Sequence, residues 1–179
     1  VCPPRDGRAN YGASLLPDNR LITAAESMFP RLAQRLVFVD VETTGSSPER
    51  ERITEVGLVS VDLEGDDTRA TEWSSLVNPG VPIPPEIQWL TGITNDMVRG
   101  APPFAEVAQD IYDRLDGAVF VAHNARFDYG FLRAEFGRAG LDFHARTLCT
   151  VRLSRYLYPE RAPHTLDAEF AIDVDTVFA

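Results

Sequence analysis

Phe38-Val39-Asp40-Val41-Glu42-Thr43-Thr44-Gly45 sets two carboxylates at alternate positions of an apolar, β-branched run. Such a run forms a buried strand. Side chains two apart on a strand share a face, so Asp40 and Glu42 stand side by side. Neighbouring acids at the end of a core strand repel each other and cost stability unless a cation holds them, and a divalent metal does that. Working outward, Leu36 to Thr43 is expected as the first strand, Gly45 to Arg52 as a turn, Ile53 to Leu63 as a second strand and Trp73 to Val77 as a third. Three successive strands joined by short turns predict an antiparallel meander. The acidic Glu64-Gly65-Asp66-Asp67 lacks the later ligands of a calcium loop and reads as a hairpin turn.

Pro79-Gly80, Pro82 and Pro84-Pro85 make a rigid connector into Glu86 to Leu90, and Gly92 and Gly100 divide the next segment into short helical turns. Phe104, Val107, Ala108, Ile111, Tyr112 and Leu115 then recur at helical spacing up to Gly117. Ala118 to Ala122 reads as a buried strand. Phe127, Phe131, Leu132 and Phe136 mark a second amphipathic helix, closed by Gly137 or Gly140. Strands followed by helix, strand and helix predict an α/β fold, a mixed sheet flanked by helices. Residues 1–33 are proline-bearing with weak periodicity and read as an arm or linker with one short helix at Ala24 to Phe29; residues 34–179 hold the patterned domain.

A chain of 179 residues, 44% of them hydrophobic, is long enough for one domain with a sizeable core. Its longest apolar stretches are strand-length and soon interrupted by charge. No membrane span or signal peptide is therefore expected, and the expected location is cytoplasmic. Cys2 and Cys149 have no metal-ligand or redox spacing, which argues against a zinc site or a disulfide framework, and Cys149 reads as a small core residue. The net charge of −10 argues against a protein that coats duplex DNA by neutralising many phosphates. A nuclease that grips one strand end through metals and a few basic side chains remains compatible with it.

Asp128 follows the buried strand in His123-Asn124-Ala125-Arg126-Phe127-Asp128 and falls in the first turn of the next helix. A helix N-terminus favours a carboxylate without any further function. The end of a central strand, however, is where α/β folds place their sites, so Asp40, Glu42 and Asp128 are candidates for one cluster of oxygen ligands. Hard oxygen ligands suit magnesium or manganese, not zinc. Two such ions about 4 Å apart can hold a phosphodiester in line, with one activating water and the other stabilising the leaving oxygen.

Phe38 to Gly45 and Val121-Ala122-His123-Asn124-Ala125-Arg126-Phe127-Asp128-Tyr129-Gly130-Phe131 resemble the first and second motifs of the DEDD (DnaQ-like) 3'-5' exonucleases. The resemblance is to the branch of the proofreading epsilon subunit of bacterial DNA polymerase III. Asn78-Pro79, Ile87, Leu90-Thr91-Gly92-Ile93-Thr94 and His164-Thr165-Leu166-Asp167 extend it over roughly Leu36 to Asp167. It implies a ribonuclease-H-like fold with a five-stranded mixed sheet and helices on both sides. It also implies two Mg2+ or Mn2+ ions, with Asp40 on both, Glu42 on one and on the terminal 3'-hydroxyl, and Asp128 on the other. Thr43, Thr44 and Asn124 would lie beside the terminal nucleotide, whose base could stack near Leu90 or Phe131; core packing is the other reading of Phe131. The implied substrate is single-stranded DNA or a frayed 3' primer end, released as nucleoside monophosphates in proofreading or repair, with a DNA polymerase or a fused second domain as partner.

The third motif of that family pairs a general-base histidine with an aspartate five residues later, histidine being suited to the task because it titrates near neutrality. None of His123, His144 and His164 fits: His123 belongs to the second motif, Cys149 stands five residues after His144 and Glu169 five residues after His164. Tyr156 and Tyr158 do not meet the tyrosine variant either. Phe170, Val174, Val177 and Phe178 carry the spacing of a final helix, so Asp173 is the expected fourth catalytic and metal-ligating carboxylate, with Asp175 behind it. A segment bearing the histidine is then expected to be missing between about Ala168 and Ala171.

Two alternatives stay open at the level of sequence. One is an enzyme that trims the 3' ends of RNA or oligonucleotides, and the other is a catalytically silent module that holds nucleic acid or a partner. Arg126, Arg133, Arg138, Arg146, Arg152 and Arg155 could track a phosphate backbone but read more simply as solvated faces. His123 reads as a packing or hydrogen-bonding residue and His144 as a surface residue, while Trp73 and Trp89 read as packing residues.

Overall fold

Val37, Val39, Val41 and Thr43 are buried along strand β1 (Arg35–Thr43), whereas Phe38 and Asp40 between them are exposed and Glu42 is half-buried. The alternation gives the strand one face for the core and one for chemistry. The computed structural model describes residues 35–64, 67–160 and 164. Strand β1 is followed by β2 (Ile53–Glu64) and β3 (Asp67–Leu76), then helices α1 (Pro85–Thr91), α2 (Asn95–Val98) and α3 (Phe104–Leu115). After them come β4 (Val119–Ala122), α4 (Arg126–Arg138), β5 (Arg146–Cys149) and α5 (Thr150–Leu157). The five strands form one sheet in the order β3-β2-β1-β4-β5. The first three run antiparallel as a meander, and β4 and β5 join in parallel. The mixed sheet is the one expected from the pattern of elements, and its five strands are the number that the family resemblance implies.

The extent of the third strand differs from the expectation. It runs from Asp67, not Trp73, because the polar Asp67-Thr68-Arg69-Ala70-Thr71-Glu72 segment pairs with β2 as an edge strand with no apolar alternation to announce it. Pairing of Glu64 with Asp67 fits the expected hairpin. Cys149 is half-buried at the end of the parallel strand β5 and packs on the margin of the core.

Helices α3 and α4 supply Phe104, Ala108, Ile111, Leu115, Phe131, Leu132 and Phe136 to the core, against Val37, Val39, Val41, Val56, Leu58 and Phe120 of the sheet. Each large apolar side chain among them, fully buried, contributes roughly 1.5–3 kcal/mol. Phe136 sits edge-on to Phe104 at 5.4 Å and to Tyr112 at 5.8 Å, so the rings fix how α3 and α4 meet. Trp73 joins this core from the half-buried side, with the Arg114 guanidinium 5.3 Å above its ring.

The proline-rich connector builds a small core of its own from Ile83, Ile93 and Val98, with Leu76 and Ile87 against it. Because Ile87 turns inward, Trp89 and Leu90 face solvent, at 86% and 71% exposure. Trp89 is therefore not the packing residue that its size suggests.

Strand β4, all four residues buried, pairs with β1 at Leu36, Val37 and Phe38 alone. The chain then leaves the sheet through Asn124, whose φ of 61° is the left-handed conformation that asparagine tolerates. That turn aims the first turn of α4 at the end of β1. The expected N-terminal arm and the helix expected at Ala24 to Phe29, like the tail residues Glu169, Asp173 and Asp175, lie outside the described residues.

Candidate active site

Asp40 and Glu42 stand on the same face of β1, as the alternation requires. The register places Glu55 of β2 directly across from Glu42 and Gly57 across from Asp40. Burial raises the Glu42 carboxyl above its ordinary range, and the charges of Asp40 and then Glu55 raise it further. Glu55 is thus a third acid on this face. It escapes notice in the sequence because only the strand register shows which residues of β2 stand beside the carboxylate pair.

Asp128 comes to the same place from α4. Its side chain is buried, with 4% of the residue exposed, and Oδ1 accepts a hydrogen bond from the Val41 N–H at 3.2 Å. That amide lies beyond the last β1 residue paired with β4, so the carboxylate occupies the strand edge where the β1–β4 ladder has stopped. Burial drives its pKa from the ordinary 3.8 to about 7, with Asp40 and Glu42 adding to the rise; backbone N–H groups oppose it without cancelling it. Asp40, Glu42 and Asp128 therefore sense one another electrostatically.

This donor set fits hard divalent cations: it is made of carboxylate oxygens, and a cation would remove the repulsion that Asp128 and Glu42 carry. Among the described residues, no three His, Cys, Asp or Glu side chains are already drawn together as a finished metal cage. The fourth carboxylate expected, Asp173, lies outside the described residues.

Of the residues expected to meet the terminal nucleotide, Leu90 and Asn124 are exposed and available. Phe131 is not. It is completely buried, 4.9 Å from the Phe127 ring, because on α4 it shares the inward side with Leu132, Glu135 and Phe136. Core packing, the other reading of this residue, is the one observed.

Thr44 is buried as well, and its hydroxyl is committed within the protein. It donates to Glu51 Oε2 at 2.8 Å and accepts from the Arg52 N–H at 3.0 Å. Thr43 is buried too, with its hydroxyl on the Gly45 carbonyl at 2.6 Å. Both hydroxyls shape the turn after Glu42. A Cβ at Gly45 would stand 3.0 Å from the Glu51 side chain, so any larger residue there would push on the group that holds Thr44.

The turn is fastened from outside by Arg138, which donates to the carbonyls of Pro48 and Glu49 and pairs with the buried Glu135 carboxylate at 3.1 Å. Arg138 therefore acts as a strap; Arg126, Arg133, Arg146, Arg152 and Arg155 are exposed, which suits a solvated face and a phosphate-tracking one equally. The described histidines are engaged elsewhere: His123 with Thr150 at 3.0 Å, the exposed His144 with Asp142 at 3.1 Å, and His164 with Ser154 at 2.8 Å.

Residues 37–175 match the exonuclease family RNase_T. The 3'-5' exonuclease DinG of Bacillus subtilis (strain 168) is 43% identical over 129 residues, which are 70% of this chain and 13% of that protein. A PolC-type DNA polymerase III of Caldanaerobacter subterraneus subsp. tengcongensis is 36% identical over 158 residues, 87% of this chain and 11% of that protein. The chain thus spans little more than a tenth of these relatives' length. Among solved structures, a product-bound exonuclease I aligns with a TM-score of 0.64 at 21% identity, covering 75% of this chain and 35% of that one. At that identity the likeness establishes the fold alone.

Proposed function

The chain belongs to the exonuclease family RNase_T, and from that premise we propose that it hydrolyses phosphodiester bonds at DNA 3' ends, releasing nucleoside monophosphates. The observation that carries this reading is the buried Asp128 carboxyl, raised to about 7 beside Asp40 and Glu42. A protein keeps mutually repelling acids at the end of its central strands when their charge is used. Two Mg2+ or Mn2+ ions, held by Asp40, Glu42, Asp128 and Asp173, would supply the positive charge that draws the phosphate in and stabilises the departing oxygen.

In the reaction a water oxygen forms a new bond to phosphorus and the bond to the 3'-oxygen of the preceding nucleotide breaks. The chain's residues contribute placement. Asp40 and Glu42 project from a strand held by β2 along its whole length and by β4 over the residues just before them, and the Val41 N–H holds Asp128 at the strand end. Leu90 and Asn124 flank the terminal nucleotide, Leu90 offering an apolar side chain to the base. The proton acceptor for the attacking water belongs to the third motif. The names of the relatives support 3'-to-5' polarity and DNA as substrate. Both carry the matching region as a small part of a longer protein, which supports a polymerase or a fused domain as partner and a role in replication proofreading or repair in the cytoplasm. No helix among the described residues is long and apolar enough to cross a membrane.

The test is degradation of 5'-labelled single-stranded DNA and RNA of the same sequence with Mg2+ or Mn2+. Stepwise shortening from the 3' end of DNA is expected, with Asp40→Ala reducing the rate by more than about 10²-fold. Undiminished release by Asp40→Ala would refute the site. Preference for RNA would make the enzyme a trimmer of RNA ends.

A further inference from the structure

We propose that Gly57 is a clearance residue: the side chain missing from the interior of β2 leaves the space beside Asp40 that a hydrated divalent cation occupies. The inference rests on the reading that Asp40 holds such an ion.

Glycine weakens a strand interior, and one found there marks a bulge, a tight bend or a close approach of another group. Gly57 lies well inside β2 and pairs with Asp40 in an unbroken stretch of register; the one irregularity falls between Glu42 and Thr43. A bulge does not explain it. Its backbone is not in the left-handed region either, unlike Gly80, Gly92, Gly117 and Gly140. Among the described residues, a Cβ built at Gly57 would meet the Asp40 carbonyl oxygen at 3.8 Å, an ordinary contact. Neither backbone conformation nor the described neighbours therefore require glycine.

The direction in which a side chain would point gives the explanation. Residues directly opposite on antiparallel strands share a face with Cβ atoms about 4.5–5.5 Å apart. A side chain at 57 would stand beside the Asp40 carboxylate, with Glu55 and Glu42 as the next pair along the same face. Magnesium keeps several of its waters when carboxylates bind it, so an ion on Asp40 needs room around the carboxylate as well as the carboxylate itself. Valine, the residue that a strand interior favours, would put two methyl groups into that room.

The experiment compares wild type with Gly57→Ala and Gly57→Val by calorimetric Mn2+ titration of the metal-free protein, thermal melting without metal, and degradation of single-stranded DNA. Clearance predicts that both variants melt at or above the wild-type temperature, by about 2–4 °C for alanine. Mn2+ affinity should fall in the order glycine, alanine, valine, with valine at least about tenfold weaker, and DNA degradation should fall with it. Unchanged Mn2+ affinity in a folded Gly57→Val would overturn the inference. So would a metal-free Gly57→Ala that melts several degrees lower, since the glycine would then serve packing. The graded affinity series in a protein that leaves DNA intact would support the clearance while overturning the exonuclease reading.

Discussion

Replacing Asp128 by asparagine keeps the shape of the side chain and an oxygen for the Val41 N–H, but removes the titrating proton. In the wild type, burial and the charges of Asp40 and Glu42 hold this carboxyl at about 7, against 3.8 ordinarily. The folded protein therefore binds a proton that the unfolded chain has already lost. The resulting stability is fully present below about pH 3.8 and disappears as pH rises through 7, since the charged form is the disfavoured one when folded. Between pH 5 and pH 8 the loss amounts to about 3 kcal/mol. Urea unfolding of both proteins, with a chelator present, isolates this contribution because other titrating groups cancel in the difference. The asparagine variant should gain on wild type as pH rises, with a midpoint displacement of about 1 M or more at pH 8 for the urea slopes of small domains. Millimolar Mg2+ should restore the wild type and leave the variant largely unchanged. A difference that does not vary with pH, or a variant less stable at pH 8, would refute the reasoning. Asp128 would then be an ordinary ionised carboxylate favoured by the start of its helix.

The two apolar candidates beside the nucleotide separate in the opposite direction. Leu90→Ala should leave the melting temperature unchanged, because the side chain is mostly exposed, and should weaken 3'-end binding by about 1 kcal/mol, a several-fold rise in KM; an unchanged KM would remove Leu90 from the substrate path. Phe131→Ala should cost about 3–5 kcal/mol of stability from the cavity it leaves, measured by urea unfolding, while the fraction still folded at low temperature retains its activity.

Local periodicity accounts for the features that were legible in the sequence. Alternation along Val37 to Thr43 placed Asp40 and Glu42 on one face, and the apolar spacing of Phe104 to Leu115 located α3 with its observed limits. The switch from meander to strand-helix-strand anticipated the mixed sheet. Properties set by distant partners were not legible. Thr44 finds its hydrogen bonds seven and eight residues later in a turn, where no periodicity operates. Phe131 and Trp89 are both large apolar residues on helices, and only the rotation of each helix against its own core decides that one is buried and the other exposed. Glu55 and Gly57 acquire meaning from the register between β1 and β2. Strand β5, four residues with Leu148 and Cys149 as its apolar part, is too short to signal itself and exists because β4 offers a parallel edge.

The shortness of β4 acts as a ruler for the whole site. Two more residues of parallel pairing would offer a main-chain carbonyl to the Val41 N–H, and the sheet would gain stability by closing its ladder. The Asp128 carboxylate would then have no place at the strand edge. Sheet completion and this carboxylate compete for one amide proton. Selection for a more regular sheet would thus erase the site without changing any of its acids, which makes the length of a four-residue strand as consequential as the identity of Asp40.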